Sequence, residues 1–277
     1  MLRRDLHRVV AREEVGLYTL LRVARRDLDP GIPGQFFMLQ PPGRLLPRAM
    51  SLCLAPPGEL AFLIDPIGPG TRALCTLAHG DELAVLGPLG NGFRLDVRRP
   101  LLVGGGIGIA PLPFLSDRLG APRALLGFRS AEHAQAAELV PNAEVVVEPT
   151  FVTDVIPPNY DVLACGPEPM LAAIRRLEPA AQLAWEAPMA CGYGACYGCA
   201  VEIDGELRRL CVDGPVLESV GATSHAPRTR EGAATLALGA SSVAPVASGY
   251  EGSLRPSETG VSRLASTTRA EGDPRAA

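Results

Sequence analysis

Met189-Ala190-Cys191-Gly192-Tyr193-Gly194-Ala195-Cys196-Tyr197-Gly198-Cys199, completed by Cys211, holds four of the seven cysteines in the spacing C-x4-C-x2-C-x11-C. The first two gaps, joining the first three cysteines, match the plant-type [2Fe–2S] ligand pattern. Two irons and two sulfides need four thiolates converging on one small volume. A tight loop can supply three of them and a returning strand the fourth. The loop must wrap closely round the inorganic core, and Gly192, Gly194 and Gly198 suit that because glycine reaches backbone angles other residues avoid. Zinc usually takes two separated C-x2-C knuckles, and only one is present. A disulfide framework belongs to small secreted chains. The start, Met1-Leu2-Arg3-Arg4-Asp5, leads into alternating polar and apolar residues and not into the apolar segment of a signal peptide. Cys191, Cys196, Cys199 and Cys211 are therefore read as ligands of a [2Fe–2S] cluster, with zinc as the competing occupant.

Upstream, Pro100-Leu101-Leu102-Val103 is a short apolar strand. It runs into Gly104-Gly105-Gly106-Ile107-Gly108-Ile109-Ala110-Pro111 and then a helical stretch over 112–119. Strand, glycine turn and helix in that order form the context of a dinucleotide site, in which Gly104, Gly105, Gly106 and Gly108 let the backbone approach a pyrophosphate. Strands are expected at 124–128, 144–147 and 161–164, with helices at 131–139 and 169–177. The alternation indicates a doubly wound parallel sheet. At the carboxyl end of the 161–164 strand stands Cys165-Gly166-Pro167-Glu168-Pro169-Met170, where ligands of open α/β sheets bind. Cys165 there either abuts a nicotinamide or is a buried structural thiol. Arg129-Ser130, after the 124–128 strand, could face the adenosine ribose or its 2′-phosphate. The choice between NAD and NADP stays open.

From about residue 6 to 95 the chain shows short β-like runs at 17–23, 35–39, 51–54, 60–64 and 82–86, broken by Gly and Pro. That rhythm argues for a small antiparallel barrel or sandwich. Two places in it look like more than scaffold. Arg48-Ala49-Met50-Ser51 sets an arginine and a hydroxyl three apart at a strand entry. Gly68-Pro69-Gly70-Thr71 opens an expected helix at 71–77, either as an anion site or as an ordinary turn capped by Thr71. Cys53 and Cys75 are read as core.

The 277 residues, 47% hydrophobic, allow two domains with additions. A formal net charge of −4 gives no reason to expect nucleic acid or an anionic membrane as partner. No run approaches the apolar length needed to cross a bilayer. The basic residues are all arginine, which excludes a Schiff-base lysine and a Walker-type phosphate loop. Seven cysteines without an export signal suggest a reducing cytoplasm. After about residue 217, Ser, Thr, Gly, Ala, Pro, Arg and Glu dominate, and 218–277 is expected to be a disordered tail.

These pieces together carry a likeness. The chain resembles the electron-transfer subunits of NAD-dependent dihydroorotate dehydrogenase, within the ferredoxin–NADP reductase superfamily. The matching residues are Arg48-x-x-Ser51, Gly68-x-Gly70-Thr71, Gly87-Pro88-Leu89-Gly90-Asn91-Gly92-Phe93, the 102–111 turn, Cys165-Gly166-Pro167-Glu168-Pro169-Met170, Glu186-x-x-Met189-Ala190-Cys191-Gly192 with the later cysteines, and Cys211-Val212-Asp213-Gly214-Pro215-Val216. The likeness spans about 6–217. It implies three parts: an antiparallel FAD-binding β-barrel at 1–97, a doubly wound α/β NAD-binding domain at 98–183, and a small [2Fe–2S] loop domain at 184–217. It implies that Arg48 contacts the FAD phosphates, that Ala49, Met50 and Ser51 run along the flavin with Ser51 near N5, that Leu63, Ile64 and Asp65 line the cofactor, and that Gly70 and Thr71 hold the pyrophosphate. Cys165, Gly166 and Pro167 fall to NAD, the electron acceptor. It also implies an FMN-containing catalytic partner, as a heterotetramer, that oxidises dihydroorotate in pyrimidine biosynthesis. A diaphorase-type subunit serving another oxidoreductase such as a hydrogenase, or a non-catalytic iron–sulfur sensor, are the alternatives. Two departures stand out: Ala49 where the family often has proline, and Asp65 where a basic residue is frequent.

Overall fold

The computed structural model describes residues 5–203 and 205–218; the expected disordered tail falls outside the described residues apart from its first position. Fourteen strands and four α-helices are described. The front of the chain forms a six-stranded antiparallel sheet in the order β4-β3-β6-β1-β2-β5. Its strands are β1 (Asp5–Val15), β2 (Tyr18–Ala24), β3 (Phe36–Leu39), β4 (Arg48–Ser51), β5 (Glu59–Ile64) and β6 (Glu82–Leu89), with α1 (Pro69–Cys75) between the last two.

The sheet curls into a barrel, and two local features show how. β1 pairs with β6 through Asp5–Arg8 and with β2 through Val9–Val15, and its register shifts between Val9 and Ala11, where one strand passes from one neighbour to the other. Such a bulge raises local twist. At the seam, the chain beyond β4 returns to β5: the Cys53 N–H donates to the Ala61 carbonyl at 2.8 Å, and Leu54 bridges Ala61. Closure leaves fewer strand edges unpaired.

The second sheet, also six-stranded, runs β14-β11-β10-β7-β8-β9. It comprises β7 (Pro100–Gly105), β8 (Ala124–Phe128), β9 (Ala143–Val147), β10 (Asp161–Cys165), β11 (Gln182–Ala184) and β14 (Val216–Glu218). β7 pairs in parallel with β8 and β10, and β14 closes one edge antiparallel to β11. Its helices are α2 (Leu112–Arg118), α3 (Ala131–Ala134) and α4 (Glu168–Leu177). The near-continuous apolar runs of β7, β8 and β10 are what strands covered on both faces require. A short hairpin, β12 (Ala200–Ile203) with β13 (Glu206–Arg209), makes a separate two-stranded sheet.

Several expected boundaries shift. The strand expected at 51–54 begins earlier, at Arg48, because Arg48–Ser51 finds β3 as partner. The helix expected at 71–77 starts at Pro69 and ends at Cys75. The expected 131–139 helix is α-helical only over Ala131–Ala134 and tightens to a 3-10 turn over Gln135–Leu139.

The two sheets share one apolar core. Val15, Tyr18, Leu20, Leu63 and Phe93 from the barrel side pack in the same cluster as Leu112, Leu126, Phe128, Ala136 and Cys165. Polar ties reinforce the joint. The buried Gln182 amide accepts from the Arg94 N–H at 2.7 Å and donates to the Arg94 carbonyl at 3.2 Å, and Asp161 Oδ2 accepts from the backbone N–H groups of Arg98 and Arg99. The connection between the sheets is thereby pinned to the strands it feeds. Leu126→Ala, at a fully buried position of this joint core, is expected to cost about 2–5 kcal/mol. Denaturant unfolding followed by the fluorescence of Trp185, the single tryptophan, and by circular dichroism should then show both sheets destabilised in one shared transition.

Candidate functional site: two clefts and a thiol loop

A cleft of about 280 Å³ opens where the barrel meets the α/β sheet. The barrel contributes Ala49, Met50, Ser51, Leu63, Asp65 and Thr71; the α/β side contributes Ile107, Gly108, Pro111 and Cys165. Strand alternation decides which residues of 63–65 reach it. Leu63 and Asp65 face the cleft, while Ile64 is fully buried in the barrel core, so its side chain cannot line a ligand there. Arg48 and Gly70, twenty-two positions apart in the chain, come together: a methyl added at Gly70 would collide with the Arg48 guanidinium. Arg48 also donates to the carbonyls of Leu46 (2.9 Å) and Pro47 (3.1 Å), which braces it at the strand entry. Thr71 serves two ends. Its hydroxyl donates to the Gly68 carbonyl and accepts from the Gly68 N–H, closing the first turn of α1, and the residue also lines the cleft.

Cys165 is both of the things expected of it, buried and on the cleft wall. Burial, and next the Glu186 carboxylate, push its thiol well above the usual range, so it stays protonated. Glu186 itself is open to solvent on its outer side, while the cleft wall crowds its carboxyl and burial raises its pKa. Asp65 is also raised by burial, against opposing pulls from His133 and Arg129 across the joint.

A second cleft, of about 380 Å³, lies over the carboxyl ends of β7, β8 and β10. Gly105, Gly106 and Pro167 line it, together with Arg129, Glu148, Phe151 and Met170. The glycine turn therefore serves both clefts, Gly105 and Gly106 on one side and Gly108 on the other. Gly104 and Gly166 line neither. A methyl at Gly104 would press on Leu112, Ile109 and Leu126, and one at Gly166 on Met170, so these two glycines serve packing between strand ends and helices. Ser130 lines neither cleft. Its hydroxyl caps α3 through the His133 N–H, donates to Glu132 at 3.0 Å and sits 2.9 Å from His133 Nδ1.

The thiol loop follows directly. Trp185, Glu186, Ala187 and Met189 line the first cleft, and the same segment runs on into Cys191. The loop is seated on the end of the barrel, where Cys199, Leu210 and Cys211 pack with Phe36, Met38 and Leu89. Gly192 (φ 80°) and Gly194 (φ 88°) take the left-handed conformation, and side chains there would strike Met38 and Val212 respectively. The four thiols lie as two pairs. Cys199 and Cys211 are 3.2 Å apart, and Cys191 and Cys196 are within hydrogen-bonding reach of each other. Among the described residues no group of three His, Cys, Asp or Glu closes on a single metal ion. Two pairs are what two irons with two thiolates each require.

The protonation of these thiols fits that donor set. Burial raises Cys191, but the N–H groups of Tyr193 and Cys196, the Cys196 thiol and the Ala195 N–H outweigh it and bring the pKa down to about 6. Cys211 is pushed up to about 12 by burial and by Cys199 beside it, a mutual repulsion that a cation between them would relieve. The Gly194 N–H donates to Cys211 Sγ at 3.2 Å and the Gly198 N–H to Cys196 Sγ at 3.4 Å, so backbone dipoles already point at sulfur.

Sequence reasoning assigned no role to Trp185, Glu186, Glu148 or Phe151. Glu186 had a local signal, its fixed distance from Met189 and Cys191. Glu148 and Phe151 had none, because only the parallel order of β8 and β9 brings them to the second cleft. Glu186 also generates a pH test. A carboxyl whose folded pKa lies above its unfolded value of about 4.3 destabilises the fold once pH exceeds that value. Glu186→Gln is therefore expected to unfold at higher denaturant than the parent chain at pH 8, with the difference vanishing at pH 3–4, as read from paired denaturation curves.

Comparisons with known proteins place this geometry. Residues 186–220 match the family model described as the iron–sulfur cluster binding domain of dihydroorotate dehydrogenase B. The dihydroorotate dehydrogenase B (NAD(+)) electron transfer subunit of Clostridium perfringens is 32% identical over 227 residues, covering 74% of this chain and 91% of that protein. The subunit of the same name from a Geobacillus species is 34% identical over 244 residues, covering 77% and 94%. Among solved structures, the NADH-dependent reduced ferredoxin–NADP oxidoreductase superposes with a TM-score of 0.67 at 22% identity, over 78% of this chain and 88% of that one. Phthalate dioxygenase reductase gives 0.53 at 17% identity, over 64% of each chain. The structural likenesses bear out a reductase-type barrel followed by an α/β sheet, and the sequence relatives go further: this chain belongs to the family of dihydroorotate dehydrogenase B (NAD(+)) electron transfer subunits.

Proposed function

We propose that this chain passes electrons from a catalytic, dihydroorotate-oxidising subunit carrying FMN, through a [2Fe–2S] cluster and FAD, to NAD+ in pyrimidine biosynthesis. The observation that carries the reading is the continuity of 185–191: one segment walls the first cleft and then enters the thiol loop. Electron carriers must lie close together, and a shared wall imposes that closeness.

In this reading residues 1–97 form the FAD barrel, 98–183 the NAD-binding part and 184–217 the cluster part, with β14 returning to complete the α/β sheet. FAD, when bound, supplies the switch between single-electron and hydride chemistry. Arg48, held over Gly70, meets its phosphates, with Gly70 and Thr71 at the pyrophosphate. Ala49, Met50 and Ser51 follow the flavin, with Ser51 as the hydroxyl toward N5. Leu63 and Asp65 contribute side chains, and Ile64 only backbone. Cys191, Cys196, Cys199 and Cys211 hold the cluster. Gly105, Gly106 and Pro167 support NAD on one side of the turn, and Gly108 and Cys165 on the other. Cys165, kept protonated, offers a neutral surface to a nicotinamide ring. The exposed rim of the loop, where Cys196, Tyr193 and Tyr197 reach solvent, faces the partner. The assembly is a heterotetramer in the cytoplasm. No helix among the described residues is long and apolar enough to cross a membrane.

Two substitutions test this. In the purified complex, Cys196→Ser is expected to drop dihydroorotate-driven NAD+ reduction to background, while NADH-driven dye reduction through FAD persists; unchanged reduction of NAD+ by dihydroorotate would remove the cluster from the path. Arg48→Ala, which deletes a charge-assisted contact worth about 1.5–3 kcal/mol, is expected to weaken FAD retention about tenfold or more, read as flavin per chain after gel filtration.

A further inference from the structure

The second cleft has a direction. Gly105 and Gly106 face it, while Ile107 and Gly108 face the first cleft. A dinucleotide with its nicotinamide at the first cleft must cross the turn with its pyrophosphate. The outer side of Gly106 is open, since a Cβ there would meet nothing within 4 Å. The adenosine half then lies over the ends of β8 and β9, where the chain sets Arg129, Glu148 and Phe151. Phe151 is 59% exposed, a flat apolar face of the kind a purine covers.

Two opposite charges flank the place left for the adenosine ribose. In doubly wound folds an acidic side chain there accepts from a free 2′-hydroxyl, whereas an arginine accommodates a 2′-phosphate. Both are present, so the balance between them decides. Arg129 directly follows β8 and carries the charge a 2′-phosphate would seek. That charge already acts across the joint, on Asp65 and on the Tyr18 hydroxyl of the barrel. Glu148 follows β9 at the exposed mouth of the same cleft, and an ionised carboxylate can only accept hydrogen bonds. A 2′-phosphate brought there meets like charge from Glu148 at the exposed mouth of the cleft.

We propose that Glu148 is the specificity-determining residue of the dinucleotide site: it accepts from the free 2′-hydroxyl of NAD and repels the 2′-phosphate of NADP. The assignment rests on the second cleft being the adenosine site, and it adds the group that reads the ribose. Discrimination of this sort comes from a repulsive element as much as from an attractive one.

The test uses the purified native complex and two ligands lacking the nicotinamide ring, ADP-ribose and 2′-phospho-ADP-ribose, so that calorimetry reads binding without electron transfer. The parent complex is expected to bind ADP-ribose at least about tenfold more tightly. Glu148→Gln should narrow that gap about tenfold, mainly by tightening the 2′-phosphorylated ligand, with a parallel rise in kcat/KM for NADPH in dye reduction. Equal binding of the two ligands by the parent complex, or an unchanged gap in Glu148→Gln, overturns the assignment. Phe151→Ala separates it from its premise. If that variant weakens both ligands alike while Glu148→Gln leaves the gap intact, the cleft is the adenosine site and Glu148 does not read the ribose. If Phe151→Ala affects neither ligand, the adenosine binds elsewhere and both claims fall.

Discussion

The joint apolar core between the barrel and the α/β sheet is the constraint on which the rest depends. Tyr18, Leu20 and Phe93 are buried against the same cluster as Leu126, Phe128 and Cys165. Close packing of this kind resists small displacements, because interiors pack at crystal-like density. The first cleft has one wall from each sheet, so its width is set by that packing. A hinge between the sheets would let the two walls of the cleft drift apart; a shared core holds them at a fixed spacing. The Gln182–Arg94 and Asp161–Arg98/Arg99 hydrogen bonds serve the same end by fixing the connection between the sheets.

A second seat fixes the thiol loop. Met38 and Leu89 of the barrel pack against the loop that carries Cys199 and Cys211, and Gly192 is small enough to let the backbone lie on Met38. The segment from Trp185 to Met189 is therefore held at both ends, by the sheet behind it and by the loop ahead of it. On the exposed side of the loop, Tyr197 takes φ 58° and its ring lies under the Arg209 guanidinium.

Much of the fold was legible because its signals are local. The alternating runs of the barrel, the glycine turn after β7 and the apolar strands of the second sheet all declare themselves within a few residues. The failures share a cause. The strand at Arg48–Ser51 carries little β pattern of its own and is a strand because β3 lies beside it. The 131–139 helix loses its second half to a 3-10 turn where Ala136 enters the joint core. Leu63, Ile64 and Asp65 were read as one cofactor-lining run, yet in a strand neighbours point to opposite faces, and the Ile64 side chain turns into the barrel core.

Unaided, the amino-acid sequence established the spacing of the four thiols, the order of barrel, α/β sheet and thiol loop, and the glycines without which the turns could not form. Those are properties of neighbouring residues. Only the folded chain decided that the thiols fall into two pairs, that Arg48 rests over Gly70, that the Ser130 hydroxyl caps a helix, and that Glu148 shares a cleft with Arg129. Each of these joins residues brought together by strand pairing or capping geometry, and a contact of that kind exists only when the shared core has set where the elements end.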